Sequence, residues 1–205
     1  MVTISASYGA AGTVVGPRVA ELLGLPYLER VMTPRVARGS RLGVETVADD
    51  ERPERLFHRL AAALAGLPLV VGGTPPQPVE GLSTEEQVRN DVETSIQTLA
   101  RTTGGVVLGR GGMVVLRERP GVFHVRLHGS KEARVRQAMR IEAIDEAEAA
   151  RRLQETDRAR ALYLRRFYHC DADDLGLYHL VLDSATVPLD TCADLIVAAA
   201  SAAWE

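Results

Sequence analysis

The stretch Thr3-Ile4-Ser5-Ala6-Ser7-Tyr8-Gly9-Ala10-Ala11-Gly12-Thr13-Val14-Val15-Gly16 leaves few folds open to this chain. It begins as a short apolar strand, passes through a turn of small residues and runs directly into an amphipathic helix. Gly and Ala let backbone N–H groups approach an anion closely, and the helix behind them adds the positive end of its dipole. Strand, turn and helix together make a phosphate cradle. The same junction also serves α/β proteins as a plain connector, so other residues must separate the two uses.

The usual phosphate-loop sequence is G-x-x-x-x-G-K-[ST], whose Lys reaches the terminal phosphates and whose hydroxyl ligates magnesium. With Thr13 as the hydroxyl, Gly12 stands in the lysine position, and Ser or Ala replaces the first Gly. The chain has few spare lysines to bring in from elsewhere. Of its 24 Lys plus Arg, only Lys131 is Lys. Any phosphate charge is therefore neutralised by Arg.

A chain of 205 residues suits one α/β domain, taken as 1–205, that buries a core without disulfides or metal. The net charge of −3 argues against a general nucleic-acid binder. Cys170 and Cys192 lie far apart and fit a reducing compartment, and no apolar run is long enough to span a membrane. A cytoplasmic protein is expected.

Taken in order, Pro17 to Gly24 continues the first helix, Leu25 to Leu28 reads as a second strand, and Met32 to Gly43 as a helix beside Arg30, Arg35, Arg38 and Arg41. Residues 51–65 suggest another helix. Leu67 to Ser83 is too rich in Pro and Gly for regular structure and reads as a loop or flap, whose apolar residues suit the protein body or a second subunit. A capped helix runs from Ser83 to Arg101, and Val106-Val107-Leu108-Gly109 is a wholly apolar strand ending in Arg110-Gly111-Gly112. Gly121 to His128 is the next strand, Ser130 starts a helix with Arg134, Arg136 and Arg140, and a long helix covers Asp145 to Tyr168. Tyr178 to Asp183 is the last strand and Pro188 to Ala202 the last helix. Strands alternating with helices predict a parallel sheet covered on both faces.

Other clusters are weaker. His169-Cys170-Asp171 with Asp173 and Asp174 matches no standard zinc spacing and reads as a connector whose acids cap or pair with Arg. His124 and His128 share a strand face, and Ser5, Ser7 and Ser184 suit turns and caps. Many arginines of the long helix should only pair with neighbouring Glu.

Ser5 with Tyr8-Gly9-Ala10-Ala11-Gly12, Gly109-Arg110-Gly111-Gly112, and Asp157-Arg158-Ala159-Arg160 followed by Tyr163 and Arg165-Arg166-Phe167 resemble, in this order, the cytidylate kinase-like family of the nucleoside monophosphate kinases. The resemblance covers nearly the whole chain, least at 40–84. It implies a three-layer P-loop fold with a five-stranded parallel sheet, a monophosphate-binding insert at 30–84 and a helical lid at 145–175. It also implies ATP and Mg2+ as cofactors and a nucleoside monophosphate, CMP or dCMP, as acceptor. Tyr8, Gly9, Ala10, Ala11, Gly12 and Thr13 would hold the ATP phosphates, with Thr13 on the metal. Arg110 would face the acceptor phosphate, and Glu29 and Arg30 would open the monophosphate region. Arg158, Arg160, Arg165 and Arg166 would be lid arginines, and Asp157 would orient one of them or join the metal's water shell. Gly12 in place of Lys, and Gly111 where an acid often follows Gly-Arg, keep two alternatives open: a silent nucleotide sensor, and a kinase for another small acceptor. The flap at 67–79 points to a homodimer.

Overall fold

In the first strand, β1 (Val2–Ala6), residue parity decides which face is apolar. Val2, Ile4 and Ala6 enter a core with Val15 and Val19 of the first helix, α1 (Gly12–Leu23), and with Cys192 and Ile196 of the last. Thr3, Ser5 and Ser7 point to the opposite face, as a period of two demands. The computed structural model describes residues 1–29 and 84–204. The expected helices at 32–43 and 51–65, the flap at 67–83, Arg30 and most of the 30–84 insert lie outside the described residues. The chain divides into two compact units, Met1–Val31 with Ile96–Glu205, and Met32–Ser95.

Five parallel strands form one sheet in the order β2-β3-β1-β4-β5. They are β1, β2 (Tyr27–Glu29), β3 (Val106–Leu108), β4 (Phe123–His128) and β5 (Leu180–Asp183). Helices α2 (Thr84–Arg101), α3 (Gly112–Val115), α4 (Lys131–Glu142), α5 (Glu146–Tyr168) and α6 (Leu189–Ala202) complete the described elements. Helices α1 and α6 cover one sheet face, while α3 and the second half of α5 cover the other through Met113, Leu164, Leu177 and Tyr178. Ser130 and Asp145 cap α4 and α5 through the amides of Ala133 and Glu148.

Three strands start later than the sequence suggests, β4 at Phe123, whose amide donates to the Met1 carbonyl, rather than at Gly121. Leu25 donates to Ala20 to close α1 and Pro26 has no N–H, so β2 begins at Tyr27. Tyr178 closes a short 3-10 turn at Leu175–Leu177, so β5 begins at Leu180. The connector before it behaves as its acids predict. Asp171 pairs with Arg165, Asp173 with Arg126, and Asp174 caps the turn at Gly176.

The second sheet face carries a polar column. Parallel register sets Thr3 abreast of His124 and Ser5 abreast of Arg126. Thr3 Oγ1 lies 2.7 Å from His124 Nδ1, and the His124 ring stacks at 5.0 Å on His179. Burial, and then the neighbouring His179, bring the His124 pKa down to about 4. His128, at the strand end, is exposed.

Candidate active site

The loop between β1 and α1 is built so that its backbone can face a ligand. Gly9 has φ +75°, and a Cβ there would lie 2.3 Å from the Arg134 carbonyl oxygen, so only Gly fits. At Gly12 a Cβ would meet Ala6 Cβ at 2.7 Å and Leu108 Cδ1 at 2.9 Å, so its small size lets helix and strand close together. Ala11 enters α1 in the left-handed region at φ 54°, and neither a side-chain cap nor a first-turn acid satisfies the helix start. The first amides of an α-helix have no carbonyl within it, and here the dipole end is open to an anion. Thr13 is exposed one position into the helix.

Side chains from three elements hold this loop from behind. Asp157 on α5 accepts from the Tyr8 amide at 2.9 Å and pairs with Arg134 at 2.7 Å. Arg134 also donates to the Tyr8 carbonyl at 2.7 Å and to the Gly129 carbonyl at 3.1 Å. Gln137 donates to the carbonyls of Gly9 and Ser184, and the Ser184 hydroxyl donates to the Ala10 carbonyl. The Tyr8, Gly9 and Ala10 carbonyls, which would repel an anion, are thereby occupied. The Tyr8 ring packs with Ala138, Ala149 and Leu153, and burial, helped by the Glu142 carboxylate, pushes its hydroxyl well above the usual phenol range.

Cations gather on the same side. Arg160 of α5 donates to the Ala6 carbonyl, the last residue of β1. Desolvation by burial, against the Asp157 carboxylate that raises it and with the nearby Arg126 and Arg134 adding to the fall, brings its pKa to about 10, still charged at neutral pH. Arg126, buried on β4, donates to the hydroxyls of Ser5 at 3.3 Å and Ser7 at 3.0 Å, and pairs with Asp173 at 2.9 Å. Across the strand, Gly109, Arg110 and Gly111 have φ of +77°, +61° and +66° in succession. A non-Gly residue in that region is held against a cost of about 1–2 kcal/mol, and the turn carries the Arg110 side chain inward with its Nε and Nη2 buried.

The cytidylate kinase-like family profile matches residues 1–186. The chain belongs to this family. An uncharacterized protein from Eubacterium ventriosum ATCC 27560 is similar in structure with a TM-score of 0.66 at 17% identity, covering 98% of this chain and 97% of that one. A shikimate kinase from Acinetobacter baumannii in complex with shikimate gives 0.49 at 14% identity (98% and 92% covered), and a gluconokinase from Sinorhizobium meliloti 1021 gives 0.47 at 16% (98% and 91%). No curated protein matches the sequence. Membership, sheet order and loop together give the P-loop kinase fold, and the family makes the chain kinase-like.

Within this cytidylate kinase-like frame the expected lid arginines separate. Arg160 is at the loop, whereas Arg158, Arg165 and Arg166 are exposed, with Arg165 pairing with Asp171 at 3.0 Å and Arg166 near the Phe167 ring at 5.9 Å. Asp157 pairs with Arg134 of α4 and acts electrostatically on Arg160 of the expected lid set. Glu29 is the last residue of β2. The long helix does hold structural pairs, Arg151 with Glu148 and Glu155, and Arg152 with Glu142 and Glu148. Arg134, Gln137 and Arg126 carry no motif of their own. Only the parity of β4 and the fourfold spacing of Arg134 and Ala138 on α4 marked them as inward-facing. Among the described residues no group of three His, Cys, Asp or Glu could hold a metal, and no helix is long and apolar enough to cross a membrane.

Proposed function

We propose that this protein transfers the terminal phosphoryl of ATP to a nucleoside monophosphate, CMP or dCMP, with Mg2+. The observation that carries the reading is the desolvated Arg160 guanidinium at the end of β1, beside a loop whose lysine position is Gly12. Phosphoryl transfer needs in-line positioning and cations around the moving group more than covalent help from the protein. Arg160 supplies the charge that the loop lysine supplies elsewhere. The amides of Ala11, Gly12 and Thr13 fit the donor phosphates, because the helix start is uncapped and Gly9 and Gly12 let the loop close against α4 and the sheet. Mg2+ would be held at the exposed Thr13 hydroxyl, where it offsets phosphate charge.

Arg110 binds the acceptor phosphate, and Glu29 and Arg30 begin the monophosphate region at 30–84. A groove of about 610 Å³ is lined by the apolar Met139, Ile144 and Ala185 and by Arg136 and Arg140. It suits the donor base, since a purine stacks on a guanidinium plane. The 145–175 segment acts as the lid, and its closure excludes water so that hydrolysis does not compete with transfer. The same reading keeps the protein cytoplasmic and a homodimer through 67–79, for which light scattering should give about twice 22.2 kDa.

Calorimetry with ATP–Mg2+ and with CMP, followed by an ADP assay over a panel of monophosphates, tests the reaction. Binding of both with ADP formation is expected, and Arg110→Ala should abolish acceptor phosphorylation while leaving ATP binding within a few-fold. No ADP with any monophosphate refutes the reading. Gly12 favours one second reading, a nucleotide sensor, which would bind ATP or CMP without turnover.

A further inference from the structure

Arg126 is an expensive residue in its position. It sits in β4, a strand paired on both sides, and is 7% exposed. Such positions in covered parallel sheets are normally apolar. Desolvating a guanidinium costs several kcal/mol unless a buried partner compensates, and its carboxylate partner here, Asp173, is 84% exposed. An ion pair with one end in water returns little. Fold stability therefore does not account for an arginine at this place.

Its surroundings match an anion site. Arg126 Nη1 and Nη2 are directed to the Ser5 and Ser7 hydroxyls, and the Tyr178 hydroxyl lies 3.4 Å from Ser5 Oγ. The three arginines Arg126, Arg134 and Arg160 around β1's end share two carboxylates, Asp157 and Asp173, and the Asp157 carboxylate is already committed to Arg134 and the Tyr8 amide. Among the described residues one positive charge is left over beside the loop. The Asp173 carboxylate reaches Arg126 from the exposed connector, so it is the partner that can leave without disturbing the sheet.

We propose that Arg126 with Ser5 and Ser7 forms a second anion subsite, which shares the phosphate of the acceptor with Arg110, and that Asp173 fills it in the ligand-free protein. The subsite lies on the sheet face opposite α1, apart from the amide cradle of the donor. It rests on the kinase reading only for the identity of the ligand. Acceptor binding breaks the Arg126–Asp173 pair, so Asp173 competes with the acceptor and sets a threshold for its binding.

Calorimetric titration with inorganic phosphate and with CMP, each with and without saturating ATP–Mg2+, tests this on the full chain. Asp173→Asn, an exposed change, should tighten phosphate and CMP binding three- to tenfold and leave the ATP–Mg2+ affinity within twofold. Arg126→Lys should weaken phosphate and CMP at least tenfold, and combining it with Asp173→Asn should cancel the gain. Phosphate or CMP affinity unchanged or weaker in Asp173→Asn overturns the subsite. Tightening of ATP–Mg2+ in its place, with phosphate excluded by ATP–Mg2+, assigns the arginine to the donor and overturns it equally. Phosphate binding that follows Asp173 in a protein forming no ADP upholds the subsite while removing the kinase reading.

Discussion

At the scale of single residues, Gly9 and His124 make the sharpest claims. Any side chain at Gly9 meets the Arg134 carbonyl at 2.3 Å in a left-handed backbone, so Gly9→Ala should cost at least about 2 kcal/mol. Thermal unfolding should then fall by about 5 °C or more, with ATP–Mg2+ binding reduced alongside. An unshifted midpoint would mean that the loop does not pack on α4 as described. His124 is held neutral by burial, with its pKa lowered from 6.5 to about 4. The unfolded chain therefore takes up a proton first as pH falls, and stability present above pH 6.5 is lost on the way down to pH 4. Unfolding free energies from urea titrations across that window should drop by an amount on the order of 2 kcal/mol, and His124→Gln should flatten that part of the profile. A His124→Gln profile as steep as the wild type's would place the titration elsewhere.

At the scale of elements, α5 is a support of the loop as well as the expected lid. Asp157 joins it to the Tyr8 amide and to Arg134, which is buried. Asp157→Asn leaves that guanidinium short of its counter-charge, a loss of about 1–3 kcal/mol given the partial exposure of Asp157. Hydrogen exchange should show the Tyr8 amide opening faster, while Arg151→Ala, which removes an exposed helix pair, should change stability by less than about 0.5 kcal/mol. A Tyr8 amide protected as before would break the link between helix and loop. The sequence showed α5's extent because Asp145 caps it and its charges repeat at helical spacing. It did not show which of its arginines turn inward. Arg158, Arg160, Arg165 and Arg166 look alike as letters, and only packing against β1 singles out Arg160.

At the scale of the whole molecule, alternating apolar runs and helices were enough to read the parallel sheet, since each strand's pattern is local. The loop and the Gly-Arg-Gly turn were readable for the same reason, as their glycines answer to backbone geometry within a few residues. Arg126, Arg134 and Gln137 were not, because their function comes from residues more than a hundred positions away that the sheet order brings beside them. On the proposed reading, that convergence lets a kinase-like loop without its lysine take its cation from α5. The most direct test is the rate of ADP formation from ATP–Mg2+ and CMP by the wild type, Arg160→Lys and Arg160→Ala, with ATP affinity measured on the same samples. Turnover by the wild type is expected, with a loss in kcat of at least about 100-fold in Arg160→Ala, partial recovery in Arg160→Lys, and a folded protein throughout. Turnover unchanged in Arg160→Ala would contradict that reading.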